Sequence, residues 1–294
     1  HIRTGKLMTT DSIHSCAVLV KLSISTWTAR RFDKLITAEV NASHGASGDA
    51  GRYNKHLLTG ETFKAISKIA SDTRTAHYAN TLAWTDEGWR LLPTANWQAY
   101  TDLTRNLRSR FDSALSDFVA EYPQLKELAR TRLNGMYKEA DYPAPHQMRD
   151  KYSFSVDFSP VPSGGDFRLD LPQAQIEVLE SQIEDRVTVA TSEAMKDVWD
   201  RLYTTVEAMK ERLSKPDAIF RDSLVHNARE LVELLKRLNV TGDASLEAMR
   251  ISVRDSLTLY DPKTLREDTV ARAETAQKAT DILSAMSASF GKGA

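Results

Sequence analysis

Cysteine is almost absent from this sequence, since Cys16 is the only one among 294 residues. A lone cysteine excludes the intramolecular disulfide framework that stabilises many small secreted proteins. Its apolar neighbours Ala17, Val18 and Leu19 predict a buried, unreactive thiol. We therefore expect a protein of the reducing cytoplasm.

Long hydrophobic runs are also missing. A membrane-spanning helix needs roughly 18 to 20 apolar residues, whereas the longest apolar stretch here, Cys16 to Ile24, is interrupted by Lys21. The first residues, HIRTGKL, lack the apolar core of a signal peptide. We interpret residues 1–12 as a tag or a disordered N-terminus, and we predict no association with a membrane.

Neither sign of charge dominates, since 39 Lys and Arg stand against 40 Asp and Glu. A net charge of −1 excludes the general attraction to nucleic acid that a strongly basic protein shows. The two halves differ, with a net charge of +4 over residues 1–150 and −5 over residues 151–294. This asymmetry is only a hint of an anionic partner, because nucleic-acid-binding domains usually show a stronger positive bias.

Motifs for catalysis or cofactor binding are missing as well. Gly45, Gly48 and Gly51 precede Lys55, but they do not form G-x-x-x-x-G-K-[ST] and they follow a predicted helix instead of a strand. The seven histidines include no pair at i, i+4, and no cysteine cluster or G-x-S-x-G motif is present. We therefore expect no cofactor, no metal and no catalytic residues. An enzyme whose site is assembled only by the fold stays open as an alternative.

An N-terminal strand and two hairpins, at residues 81–93 and 151–171, predict a small antiparallel sheet. The stretch CAVLVKLSIS (16–25) alternates apolar residues and predicts a strand, which a helix from Trp27 to Val40 should follow. TLAWT and WRLLP flank Asp86-Glu87-Gly88 and predict one hairpin. KYSFSVDFSP and the stretch from Asp166 to Leu171 predict the second hairpin.

Helices account for most of the remaining residues of the first half. Apolar residues recur at helical spacing from about Thr62 to Asn80 and from Asn96 to Tyr122. A further helix is expected from Pro123 to about Leu133, because proline ends a helix or starts a new one.

The second half predicts a helical bundle. From Ile176 to Leu213 apolar residues recur about every 3.7 positions, close to the helix period of about 3.6, so one long helix is expected over 173–214. The predicted fold class is α+β and predominantly helical. A domain over 13–171 would hold the sheet of two hairpins and an N-terminal strand, and long C-terminal helices would form a bundle over 172–294.

Two basic groups are candidate sites for nucleic-acid or partner binding. They are Arg30, Arg31 and Lys34 on the first predicted helix, and Arg105, Arg108 and Arg110 on the third. Residues three apart share a helix face, so Arg105 and Arg108 can hold phosphates together. A solvated helix face is the alternative interpretation.

The aromatic pair Trp84 and Trp89, which flanks the first predicted turn, has two possible roles. Exposed aromatic rings stack on bases, which contributes about 1 to 3 kcal/mol per base. Alternatively, the hairpin packs on the helix that begins near Trp97 and Tyr100, which is the commoner fate of aromatic residues. We favour packing, although the sequence does not determine which face of the hairpin is exposed.

Several longer stretches carry a resemblance to a known family. They include HYANTLAWTDEGWRLLPTANWQAY, YPQLKELARTRLNG, FSPVPSGGDFRLDL and IFRDSLVHNARELVELLKRLNVTGD. Over nearly all of residues 13–258 the chain resembles a family of unknown function from proteobacteria, their phages and integrative elements. The resemblance implies a gene near those of a MoxR-type AAA+ ATPase, von Willebrand A-type proteins and recombination proteins. It implies no catalytic residue.

These observations lead to two hypotheses for function. The first is a non-enzymatic assembly or adaptor protein of phage or mobile-element origin, which works with a MoxR-type AAA+ ATPase. Long amphipathic helices with alanine on their apolar faces favour a homo-oligomer. The alternative is a single-stranded-DNA-binding or annealing protein of phage recombination, which would use the two basic groups together with Trp84 and Trp89.

Overall fold

The computed structural model describes residues 10–84, 88–166, 172–215 and 217–290. Its helices are α1 (Thr10–Cys16), α2 (Lys34–Ser43), α3 (Glu61–Asn80), α4 (Trp97–Leu133), α5 (Gln173–Leu213), α6 (Ser223–Leu238), α7 (Ala244–Leu257), α8 (Thr264–Glu267) and α9 (Thr269–Phe290). Its strands are β1 (Ala17–Ser25), β2 (Arg30–Phe32), β3 (Asn54–His56), β4 (Leu82–Ala83), β5 (Arg90–Pro93) and β6 (Ser153–Pro160). The predicted fold class, α+β and predominantly helical, is confirmed.

Two sheets are present in the described residues. The larger has four strands in the order β4-β5-β1-β6, and the smaller pairs β2 with β3. β5 runs antiparallel to both β1 and β4, with Val18 opposite Leu92 and Leu82 opposite Leu91. The predicted N-terminal strand and the first predicted hairpin are therefore confirmed.

The chain forms two compact units, each assembled from separate segments. Unit 1 comprises residues 1–21, 78–100 and 157–294, and unit 2 comprises residues 22–77 and 101–156. These bounds differ from the predicted division at 171/172. The first hairpin explains part of the difference, because Leu82 and Leu91 are fully buried in the same apolar core as the C-terminal helices.

The core of unit 1 is built on α5, which packs against α6, α9 and strand β4. The predicted long helix is confirmed as one uninterrupted element. Its buried face runs from Val187 through Val198 and Met209 to Leu213, with side chains that recur at helical spacing. At the start of α7, Asp243 accepts hydrogen bonds from the backbone N–H groups of residues 245 and 246, as an N-cap does.

The core of unit 2 is rich in aromatic side chains. Phe118 and Tyr122 of α4 are fully buried, and the ring of Trp27 meets that of Tyr122 edge to face at a centroid distance of 6.2 Å. Tyr142 is buried as well, and its hydroxyl donates a hydrogen bond to the carbonyl of Leu57 at 2.9 Å. Such aromatic contacts stabilise a core beyond the burial of apolar area.

The prediction that a new helix begins at Pro123 is wrong, because α4 continues through this residue to Leu133. Proline removes one backbone N–H from a helix, which normally ends or kinks it. Here Tyr122 and Leu125, on either side of the proline, are both buried in the unit 2 core. Packing on that face offsets the cost of the missing hydrogen bond. The helix ends where Asn134 adopts a positive φ of 44°.

The helix predicted from Trp27 to Val40 begins later than expected. Arg30 and Arg31 lie on strand β2, and α2 starts only at Lys34. Asp33 decides this boundary, since its extended backbone and its carboxylate, which accepts a hydrogen bond from the N–H of Ile36, cap the helix. The assignment of both arginines to a helix was therefore wrong.

Two further predictions concern β6 and Cys16. β6 confirms the first strand of the second predicted hairpin, but residues 167–171 of its returning strand lie outside the described residues. Cys16 is half-buried against the unit 1 core, so the prediction of a buried thiol is only partly met. Residues 1–9 of the predicted N-terminal tag lie outside the described part of the chain, and α1 begins at Thr10.

Candidate functional site

The small sheet of unit 2 brings two cations face to face. In the antiparallel register of β2 and β3, Arg31 lies opposite Lys55. Like charges at opposing positions destabilise a sheet unless a counter-charge lies between them. Asp141 supplies it, with one carboxylate oxygen 3.5 Å from the Arg31 Nε and the other 2.7 Å from the Lys55 Nζ.

Lys55 is the centre of this arrangement, and its side chain is only 1% exposed. The ammonium also donates to the Asp33 carboxylate at 3.1 Å and to the carbonyl of Met136 at 2.9 Å. Burial lowers the pKa of Lys55, but the contacts with Asp141 and Asp33 outweigh it, so the pKa lies above its usual value. Lys55 is therefore a permanent cation and not a nucleophilic amine.

Asp33 has two structural roles that keep it ionised. Its hydrogen bond from Lys55 lowers its pKa, and the hydrogen bond from the N–H of Ile36 acts in the same direction. An ionised carboxylate at this position also interacts favourably with the positive end of the α2 dipole. Because it is already engaged, Asp33 is poorly suited to proton transfer near neutral pH.

An open cavity of about 560 Å³ lies above these ion pairs. Phe32 and Leu35 contribute apolar wall, and the remaining lining residues are the cations Arg30, Arg31, Lys34, Lys55 and Lys138 and the carboxylates Asp33 and Asp141. Five positive charges against two negative charges give the lining a net charge of +3. A concave site with this excess attracts anions.

The cations at the rim of the cavity have donors to spare. Within the described part of the chain, the side chains of Arg30 and Lys34 make neither an ion pair nor a hydrogen bond, and both are exposed. Lys138 is half-exposed, with its Nζ 4.0 Å from the Asp33 carboxylate. The rim can therefore donate several hydrogen bonds to a phosphate without breaking a contact within the protein.

Of the six basic residues predicted to bind, three converge on one cavity and the other three do not line it. Arg30, Arg31 and Lys34 line the cavity. Arg105, Arg108 and Arg110 lie exposed on α4 in the same unit. The Arg105 guanidinium contacts Asp102 at 2.9 Å and that of Arg108 lies 4.0 Å from Asp112. Asp102 and Asp112, which flank the acid-free residues 103–111, therefore partly neutralise this basic group.

The two tryptophans lie in unit 1, whereas the segments that form the cavity belong to unit 2. Trp84 and Trp89 are partly buried and pack against the apolar core of unit 1. The partner expected from the sequence, the helix that begins at Trp97, contributes none of its described side chains to that core. The Lys21 ammonium lies 5.8 Å from the centre of the Trp89 ring. Asp86 and Glu87 of the predicted turn between the two tryptophans lie outside the described residues.

Sequence reasoning missed the acidic half of the site and two of its lysines. Lys55, Asp33, Asp141 and Lys138 come from three separate segments, and no local spacing relates them. One signal was available: Asp33 follows two arginines and precedes an amphipathic helix, which is the pattern of an N-cap at the end of a short strand.

Other kinds of site find no support in the described ranges. These residues contain no group of three or more His, Cys, Asp and Glu side chains that could hold a metal ion. None of the helices there is both long and apolar enough to cross a membrane. Comparison of the chain with protein-family models, with curated proteins and with solved structures found no match. The site is therefore interpreted from its own geometry.

Proposed function

We propose that unit 2 binds the phosphates of single-stranded DNA and that the protein handles the strand in the cytoplasm without catalysing a reaction. The observation that supports this proposal is the cavity of net charge +3, whose rim cations Arg30 and Lys34 are free of internal partners within the described residues. Guanidinium groups bind phosphate oxygens in bidentate geometry, and an ammonium adds a compact positive charge.

The surroundings of the cavity fit a strand with unpaired bases. Phe32 is half-buried in the wall and offers an aromatic ring to a base. Arg52 lies 4.5 Å from the centre of the same ring and extends the basic surface. A non-catalytic role is favoured because the two carboxylates of the site are already held in ion pairs with Lys55.

Fluorescence anisotropy with a labelled oligonucleotide over a series of salt concentrations tests this proposal. We expect the affinity to fall as salt rises, because each bound phosphate releases counterions. The variant Arg30→Ala/Arg31→Ala should bind more weakly. The slope of its log affinity against log salt concentration should be smaller in magnitude by about 1.4, which corresponds to the loss of two phosphate contacts to a single strand.

The matched control is Lys64→Ala/Lys68→Ala, which also removes two positive charges from unit 2. Both lysines lie on α3 and pair there with Glu61 and Asp72. This variant should bind like the wild type. Equal losses in both variants, or binding that does not respond to salt, would contradict the assignment to the cavity.

A second candidate function concerns unit 1, where apolar side chains are exposed at the junction of α5, α8 and α9. Ile219 is 89% exposed and Val270 is 64% exposed. The two segments are neighbours, since Arg272 donates a hydrogen bond to the carbonyl of Ala218. Exposed large apolar residues at one place favour a protein partner. An adaptor of phage or mobile-element origin that binds a MoxR-type AAA+ ATPase, or a homo-oligomer, would use this surface.

Co-purification with the MoxR-type ATPase encoded nearest to the gene tests the second candidate, with and without nucleotide. Ile219→Asp/Val270→Asp should abolish the association, because burying a charge at an interface is unfavourable. Leu128→Asp is the control, since Leu128 is 66% exposed on α4 in unit 2. Light scattering on the same variants shows whether the surface joins copies of this chain instead. Failure to co-purify both with nucleotide and without it would exclude the adaptor role with that ATPase.

A further inference from the structure

Several cations of unit 2 meet at the cavity. Elsewhere on this unit several exposed cations are paired with neighbouring acids, as Lys64 is with Glu61, Lys68 with Asp72 and Arg105 with Asp102, whereas Arg110 and Lys151 are exposed without an acidic partner among the described residues. Lys126 and Arg130 both reach Glu139. Proteins that follow a strand over many nucleotides carry a basic groove along its path. The cations that line the cavity are gathered in one concave place, as the binding of a single charged group requires.

The size of the cavity agrees with a single bound group. A volume of about 560 Å³ falls within the range of about 300 to 1,000 Å³ that is typical of small-molecule pockets. Single-strand-binding folds engage about 4 to 16 nucleotides each, which this space does not accommodate. One nucleotide at the end of a strand would fit, with the rest of the strand outside.

The arrangement of charges favours a group that carries more than one negative charge. Lys55 is paired with Asp33 and Asp141, so this inner cluster has a net charge of −1. Arg30, Arg31, Lys34 and Lys138 then contribute +4 at the rim. A phosphate within a strand has one negative charge, whereas a terminal phosphate monoester has about −1.5 to −2 at pH 7 and three strong acceptor oxygens. Several rim cations can bind a monoester at once.

We infer that the cavity is a receptor for a terminal phosphate monoester, and that it recognises the phosphorylated end of a single strand. This inference rests on the proposed function, because the strand is what brings the terminal phosphate to unit 2. The same chemistry is present in a free nucleoside monophosphate, so the experiment must separate the two sources.

Anisotropy measurements with end-modified oligonucleotides test the inference. One pair shares a sequence and a 3′ label and differs only in a 5′-phosphate or a 5′-hydroxyl. The other pair has a 5′ label and differs only in a 3′-phosphate or a 3′-hydroxyl. We expect one phosphorylated end to bind at least about tenfold more tightly than its hydroxyl counterpart, which corresponds to one or two additional charge-assisted hydrogen bonds.

The variant Arg30→Ala/Lys34→Ala identifies where the preference arises. Both side chains are exposed and free of partners within the described residues, so their removal should not disturb the fold, which circular dichroism verifies. The preference for the phosphorylated end should disappear in this variant while weak binding of the strand persists. A preference that survives intact would place the receptor elsewhere and overturn the inference.

The remaining outcomes separate the inference from the proposed function. Equal affinity for phosphorylated and hydroxyl ends, with salt-dependent binding present, would overturn the inference alone. No binding of any strand would overturn the proposed function and this inference together. Competition by free nucleoside monophosphate or inorganic phosphate as strong as that by the phosphorylated oligonucleotide would support the monoester receptor but reject strand-end recognition.

Discussion

Unit 1 uses several of its arginines to bind its own backbone, whereas unit 2 leaves a group of its cations open to solvent. In unit 1 the guanidinium of Arg201 donates to the carbonyls of Tyr78, Ala79 and Thr81 at 2.7 to 3.1 Å. These carbonyls lie at the C-terminal end of α3, where helix acceptors lack partners within the helix. Arginine side chains of unit 1 therefore supply hydrogen-bond donors to carbonyls that a helix end leaves without partners.

Free hydrogen-bond donors therefore indicate a binding site better than the number of cations in a unit does. Unit 1 has 22 Lys and Arg against 27 Asp and Glu, and unit 2 has 17 against 13. The basic residues of unit 1 outnumber those of unit 2, yet Arg201, Arg229 and Arg272 of unit 1 have donors engaged by backbone carbonyls. A cation can bind a ligand only with donors that the protein does not use.

The largest effect is expected for Arg272, the strongest example of an arginine that binds the backbone of unit 1. Its guanidinium donates to the carbonyls of Arg212, Leu213, Lys215 and Ala218, just where α5 ends. Arg272→Met should destabilise unit 1 by about 3 to 5 kcal/mol, because several buried acceptors lose their donor. Urea unfolding followed by circular dichroism measures the change.

Arg254→Gln is the matched control for Arg272→Met. Arg254 is half-exposed and pairs with the adjacent Asp255, and exposed ion pairs contribute little to stability. Its urea midpoint should match that of the wild type. If both variants lose the same stability, the carbonyl contacts of Arg272 have no special weight and the comparison between the units fails.

The second effect concerns Lys55, a cavity cation whose donors, like those of the arginines of unit 1, are engaged within the protein. Lys55→Met leaves Asp33 and Asp141 without their buried counter-charge, and removal of one partner from a buried ion pair is strongly destabilising. We expect a loss of about 2 to 3 kcal/mol, below the usual value of about 3 to 5 kcal/mol because the cavity admits water. Trp27 is the only tryptophan of unit 2, so a variant that retains only this tryptophan reports the unfolding of that unit.

Lys64→Met provides the comparison for Lys55→Met, since Lys64 is exposed and makes only a pair within its own helix. It should unfold at the wild-type urea concentration. Wild-type stability in Lys55→Met would show that the ion-pair cluster does not hold the β2-β3 sheet together. The role of Lys55 would then be limited to ligand binding.

Alkaline pH should affect unit 2 through its buried tyrosines. Burial raises the pKa of Tyr142 to about 12 from its ordinary value of 10.0. A raised folded-state pKa means that the stability contribution is complete below pH 10 and is lost as the pH rises towards 12. The loss should be at most about 2 kcal/mol, seen as a falling melting temperature over that range.

Tyr142→Phe separates this titration from general alkaline damage. The variant loses the hydrogen bond to Leu57, so it should be less stable at pH 7 by about 1 kcal/mol. Between pH 10 and pH 12 it should lose less stability than the wild type, because no phenol at this position titrates. Parallel losses in the two proteins would exclude Tyr142 as the group responsible.

The elements that the sequence predicted well are those with a clear apolar period. The face of α5 and the alternation in β1 each bury one side of a regular element, so their pattern is visible without the fold. The start of the first predicted helix was misplaced because Asp33 acts as its N-cap. Pro123 was misread because the burial of Tyr122 and Leu125, which stabilises α4 across it, depends on tertiary contacts.

The candidate site could be predicted only in part for a related reason. Arg30, Arg31 and Lys34 are close in sequence and stand out as a basic group. The contact between Lys55 and Asp141 joins residues that are 86 positions apart. Such a pairing depends on how the β2-β3 sheet meets the segment near Asp141, and neither residue type nor spacing indicates it.

The smallest effect is expected for the second basic group, and it tests the comparison within unit 2 itself. Arg105→Ala/Arg108→Ala removes two exposed charges from α4, as Arg30→Ala/Arg31→Ala does from the cavity. We expect a change of less than about twofold in the affinity for an oligonucleotide, since Asp102 and Asp112 already lie 2.9 Å and 4.0 Å from these guanidinium groups. Anisotropy over the same salt series gives the result. If this variant loses as much affinity and salt dependence as the cavity variant does, free donors are not what distinguishes the site, and the net positive charge of unit 2 attracts the strand as a whole.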